Sequence, residues 1–184
     1  MASLVAARLG ADLDVMLVHK LRAPYQPELA LGSVDESGRL YLARSGSDPA
    51  VSPLQLDAEV RAQGALLKRR RERYTAAHPR VDLAGRTVIL VDDGLATGAT
   101  AIAAIRAARA ERAARVIVAV AVAPPDTIAR LRTEADDVVC LYAPWLFGAV
   151  GEFFEDFSEV SDDDVVAILA KTRSHPTPAP LPAP

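Results

Sequence analysis

The sequence predicts an α/β fold: an open parallel sheet flanked by helices, with an early β-hairpin. Three observations predict it. Between residues 87 and 142 short apolar runs alternate with helical patterns, and that alternation implies parallel pairing with right-handed crossovers. The runs at 88–91 and 115–123 are almost continuously apolar, as suits strands covered on both faces. The length, 184 residues at 51% hydrophobic and 24% charged, suits one domain, and a chain of this size buries about 70% of its unfolded surface without a disulfide or metal staple.

In chain order, residues 2–10 read as a helix with Leu4, Val5, Ala7 and Leu9 on one face. Leu13–Val18 is a near-continuous apolar run and reads as a buried parallel strand. Residues 20–28 hold two prolines and read as a loop. Leu29–Val34 and Arg39–Ala43 flank DESG, a hairpin turn. Residues 44–54 read as a loop, with Gly46, Pro49 and Pro53. Residues 55–76 carry a helical pattern through Leu56, Val60, Leu66 and Leu67, weakened by ~1 kcal/mol at Gly64. Residues 78–86 read as a linker. Then follow a strand at 87–91, an alanine-rich helix at 100–114, a strand at 115–123, a helix at 125–135 opened by proline, and a strand at 138–142. Ser161 with Asp164 resembles a capping box opening a helix to about Lys171. Proline occupies every second position from Pro176 to Pro184, which forbids a helix or a central strand. The expected division is therefore one domain over 1–173 and a disordered tail over 174–184.

Composition narrows the function classes. The lone Cys140 cannot form an internal bridge and suits a reducing cytoplasm. His19, His78 and His175 are scattered, so no protein-held metal site is expected. A net charge of −3 gives no global field for nucleic acid, and 5% aromatics give no obvious base-stacking platform. No run approaches the roughly 20 apolar residues of a membrane span, and the first residues lack a signal-peptide pattern.

Residues 87–100, TVILVDDGLATGAT, carry the chemistry. A buried strand ends in two carboxylates, Asp92 and Asp93. A turn of small residues follows (Gly94, Ala96, Gly98, Ala99), then a helix. Ligands of open α/β sheets bind beyond the carboxyl ends of strands. A bare loop lets backbone N–H groups approach an anion, Thr97 and Thr100 add hydroxyl donors, and the helix start adds positive dipole. The acids repel phosphate, so they need hydroxyls or a cation. A phosphorylated sugar meets both demands.

This segment resembles the phosphoribosyl-pyrophosphate (PRPP) signature of type I phosphoribosyltransferases. HKLRAPYQPELALGSVDESG is similar to the lysine-containing strand end and hairpin of a predicted bacterial subfamily, and EFFEDFSEVSDDDV to that subfamily's C-terminal segment. The resemblance implies a phosphoribosyltransferase-like sheet with a C-terminal hood over the acceptor. It implies that Asp92 and Asp93 bind the ribose hydroxyls, that Gly94, Leu95, Ala96, Thr97, Gly98, Ala99 and Thr100 cradle the 5-phosphate, and that Lys20 contacts pyrophosphate. It further implies magnesium held mainly through PRPP and water, a nucleobase-like acceptor, and a homodimer. Weaker candidates are His19, Arg22, Glu28 and the basic run Lys68–Arg71 with Arg73. Residues 44–55 are the candidate closing loop, and Trp145, Phe147, Phe153 and Phe154 the candidate hood aromatics. Family members carry a strand and a glycine-containing pyrophosphate loop before the helix matching 2–10, and none precedes it here. A PRPP-binding regulator without turnover is therefore the alternative. A phospho-acceptor receiver, suggested by VILVDD, is disfavoured because TGAT follows the acids.

Overall fold

Two hydrophobic cores organise the chain, one against each of two sheets. The structure, a computed structural model, describes residues 1–23, 26–42 and 52–172. The elements are α1 (Ala2–Leu9), β1 (Val18–Ala23), β2 (Gln26–Asp35), β3 (Leu40–Leu42), α2 (Pro53–Ala77), β4 (Thr87–Gly94), α3 (Ala99–Ala110), β5 (Arg115–Val122), α4 (Pro125–Leu131), β6 (Asp137–Tyr142), a 3-10 turn (Val150–Phe153) and α5 (Asp162–Lys171).

The parallel sheet has the order β4-β5-β6, and its helices α3 and α4 are the crossovers the alternation predicts. Along β5, Val116, Val118, Val120 and Val122 are fully buried while the residues between them are at most half-buried. Val116, Val118 and Val120 pack with Ile105 and Ala108 of α3, Ile128 and Leu131 of α4, and Val138 of β6. Small alanines on α3 let that helix lie close to the sheet.

The antiparallel sheet has the order β1-β2-β3. Its core joins Leu21, Leu31 and Val34 to Leu67 and Tyr74 of α2 and Leu169 of α5. The DESG turn forms as read, with the Gly38 N–H donating to the Asp35 carbonyl at 2.9 Å. Gly64 is buried in α2, and a methyl group there would meet Gly38 Cα at 3.6 Å, so the helix passes over the hairpin turn. Both capping boxes form, Ser52 with Gln55 and Ser161 with Asp164.

Two expectations are corrected. Residues 13–17 form no strand; ladder pairing begins at Val18 and runs into the antiparallel sheet, because β4 pairs only with β5 and gives this run no partner. Residues 20–28 are not one loop, since β1 reaches Ala23 and β2 starts at Gln26. The register jumps from Arg22↔Ala30 to Ala23↔Gln26, so Pro27 falls in an irregularity where no ladder donor is required. The loop expected at 44–54 lies mostly, and the tail expected at 174–184 entirely, outside the described residues. Among the described residues no helix is long and apolar enough to cross a membrane.

Candidate functional site

β4 runs through the apolar residues 88–91 and ends in Asp92, Asp93 and Gly94 at the carboxyl edge of the parallel sheet. Its last residues are anchored on one side: the Leu95 N–H donates to the Val122 carbonyl at 3.0 Å. Gly94 is required by close approach. A methyl group there would lie 2.6 Å from Val150 Cγ1 and 2.8 Å from Val122 Cγ1.

The turn from Leu95 to Gly98 is held from beneath. Leu95 is buried in the core, and the buried Thr127 hydroxyl donates to the Ala96 carbonyl at 2.6 Å. Gly98 adopts φ 67°, and a methyl group there would meet Thr127 Cγ2 at 3.0 Å, so conformation and space both demand glycine. Gly98 is also the cap of α3 and accepts the Ile102 N–H at 2.9 Å. The backbone N–H groups of Ala96, Thr97, Gly98, Ala99 and Thr100 find no acceptor within the described protein. Thr97 and Thr100 are exposed. Five unpartnered donors thus follow one another at a helix start, an arrangement that attracts an anion.

The two acids sit directly before this turn. The Asp93 N–H donates to Asp92 Oδ1 at 2.9 Å, and the Gly94 N–H to Asp93 Oδ1 at 2.7 Å. The Asp92 carboxyl is pushed up to about 7, first by loss of water to the surrounding protein and then by the adjacent Asp93 carboxyl, which stabilises the protonated form. Asp92 nevertheless faces solvent at the mouth of a cavity. That cavity, about 310 Å³, is lined by Asp92 and Asp93 on one side and by Phe154, Asp156, Phe157 and Ser158 on the other.

Asp92 through Thr100 lie together. Lys20 is half-buried in β1, paired across the hairpin with Ser33. His19 stands next to it, opposite Val34. The side chains of Arg22 and Glu28 lie outside the described residues, as does most of the 44–55 segment. Four arginines of the basic run make internal contacts. Arg71 bonds Asp14 and Glu36 at 2.7 Å each, Arg70 and Arg73 pair with the acidic first turn of α5, and Arg69 bonds the Ala65 carbonyl. Among the aromatics, Phe153 packs on Phe147 and Tyr142, Phe154 packs on Phe157 in the cavity wall, and Trp145 is 87% exposed. Sequence reasoning missed Phe157, Asp156, Ser158 and Thr127. The first three belong to a segment whose aromatic spacing was a usable signal; Thr127 had none, because its role depends on a contact between two crossover units.

No group of three His, Cys, Asp or Glu side chains among the described residues could hold a metal by itself. Two adjacent carboxylates fit magnesium only as outer or partial ligands, with substrate oxygens and water completing the shell.

Residues 1–152 match the phosphoribosyl transferase domain family. Two Mycobacterium tuberculosis proteins, from strains CDC 1551 and H37Rv and each named "putative phosphoribosyl transferase", are 46% identical over 176 residues, covering 93% of this chain. The chain spans 38% of their length. The crystal structure of TT1426 from Thermus thermophilus aligns with a TM-score of 0.78 and 45% identity, over 91% of this chain and 80% of that one. With a signature loop in place at the end of β4 and a family match over most of its length, the chain belongs to the phosphoribosyl transferase family.

Proposed function

We propose that the protein binds PRPP with magnesium at the end of β4 and transfers its ribose 5-phosphate to a nucleobase-like acceptor, releasing pyrophosphate. The observation that carries this reading is the row of five unpartnered N–H groups, Ala96 to Thr100, beside paired carboxylates. The 5-phosphate takes the N–H groups and the exposed Thr97 and Thr100 hydroxyls. The ribose hydroxyls donate to Asp92 and Asp93, which fixes the ring over the cavity. As the bond from C1 to pyrophosphate opens, the ring gains positive charge, and ionised carboxylates close to it favour that change. Magnesium, when bound, neutralises the departing pyrophosphate. The acceptor enters the space bounded by Phe154 and Phe157, aromatic walls suited to a flat heterocycle.

Calorimetry tests the binding step. Magnesium-dependent PRPP binding is expected, and Asp92→Asn with Asp93→Asn should abolish it; unchanged binding in the double variant overturns the assignment. The second reading is a PRPP-binding regulator without turnover. Pyrophosphate release across purines, pyrimidines, orotate, nicotinate and quinolinate separates the two, since a regulator stays silent with all of them.

A further inference from the structure

α4 buries three residues, Thr127, Ile128 and Leu131, and Thr127 is the polar one among them. A buried hydroxyl needs a partner. Thr127 finds it outside its own helix, in the Ala96 carbonyl 2.6 Å away. Between the Leu95 N–H, which bonds Val122, and the Gly98 carbonyl, which accepts from Ile102, this is the one hydrogen bond to the turn's backbone among the described residues.

Peptide geometry gives that bond a consequence. The described peptide bonds are all trans, so the Ala96 C=O and the Thr97 N–H share one plane and point in opposite directions. With the carbonyl drawn onto buried Thr127, the Thr97 N–H is aimed away from α4, on the side where Ala96 and Thr97 are exposed. Rotated by half a turn, the same peptide would present a carbonyl oxygen to an anion in place of a donor. Side-chain packing does not prevent that rotation, because neither Ala96 nor Thr97 is buried.

We infer that Thr127 is a positioning residue: its hydroxyl locks the Ala96–Thr97 peptide with the N–H toward the sugar 5-phosphate and the carbonyl away from it. The inference rests on the reading of this turn as the phosphate site. The Thr127 methyl group fits the same role, since it abuts Gly98, where an added Cβ would lie 3.0 Å from it.

Two variants of the full chain separate the hydroxyl from the methyl group. Thr127→Val keeps the volume and removes the hydroxyl, whereas Thr127→Ser keeps the hydroxyl and drops the methyl. Ligand-free crystal structures should show the Ala96 carbonyl turned away from α4 in the valine variant and still bonded to residue 127 in the serine variant. Calorimetry with ribose 5-phosphate as the probe should show affinity lowered about tenfold or more by Thr127→Val, because a hydrogen bond to a charged group is lost. Thr127→Ser should bind within about twofold of wild type even though it melts at a lower temperature for want of its methyl contact. An unmoved Ala96 carbonyl in the valine variant, unchanged affinity there, or equal losses of affinity in both variants overturns the proposal. Wild-type protein that binds no ribose 5-phosphate refutes the phosphate reading instead, and the two crystal structures still decide whether Thr127 sets the peptide.

Discussion

Among the described residues, Asp92 stands out for a carboxyl held well above its ordinary range. Its folded-state pKa stands at about 7 against the ordinary 3.8, so the fold favours the protonated form. Sign follows directly: the stabilisation is complete below about pH 4 and is lost as pH rises through about 7. Thermal melts from pH 4 to 8 should show wild-type stability falling across that window relative to Asp92→Asn, which keeps a neutral side chain throughout. PRPP affinity should move oppositely and strengthen as pH passes 7, because only the ionised acid accepts both ribose hydroxyls. At Gly98 the outcome is steric. Gly98→Ala combines left-handed backbone with a 3.0 Å contact to Thr127, and should cost about 1–2 kcal/mol of stability in a denaturant titration while weakening PRPP binding. These residue-scale features were only partly legible. The type and order of side chains in DDGLATGAT pointed to anion and diol, but the raised Asp92 pKa depends on protein crowded around it, and the Thr127 hydroxyl under Ala96 depends on α4 packing beside the turn.

Among elements, the strand–helix alternation from β4 to β6 was readable because each run is long, periodic and flanked by its own punctuation. The N-terminal third was harder. Leu13–Val18 has the composition of a buried strand, yet strand formation needs a neighbour, and none of the described elements pairs with residues 13–17. Pro24 and Pro27 looked like loop residues, and a bulge lets β2 accommodate the second. The basic stretch of α2 offered no way to tell substrate contacts from internal ones. Arg71 proves structural: its side chain is 13% exposed and it bridges Asp14, also 17% exposed, and Glu36, 7% exposed, and its guanidinium also reaches the Val15 carbonyl. Arg71→Met should destabilise the chain by about 3 kcal/mol, because two carboxylates lose a shared partner, and urea unfolding would read it. Ser52→Ala, removing the α2 cap, should cost about 1 kcal/mol and leave ligand binding unchanged.

For the molecule as a whole, the two sheets differ in how well they are sealed. β5 is the middle strand of its sheet and carries the most complete burial, so its amides should exchange slowest, with those of residues 11–17 among the fastest; exchange mapped by mass spectrometry checks that order. The far side, around β6, leaves Leu141, Tyr142, Trp145 and Leu146 largely exposed. A homodimer, expected from the family resemblance, would cover apolar area of this kind. Light scattering should then report two chains for the wild type and one for Leu141→Glu with Trp145→Ser. Finally, the titration of Asp92 bears on how a strongly anionic sugar phosphate approaches at all. Below neutrality the free protein shows visitors one formal negative charge fewer than its sequence suggests. If magnesium and PRPP load there as proposed, the acid should turn into a carboxylate and expel a fraction of a proton, visible as buffer-dependent heat.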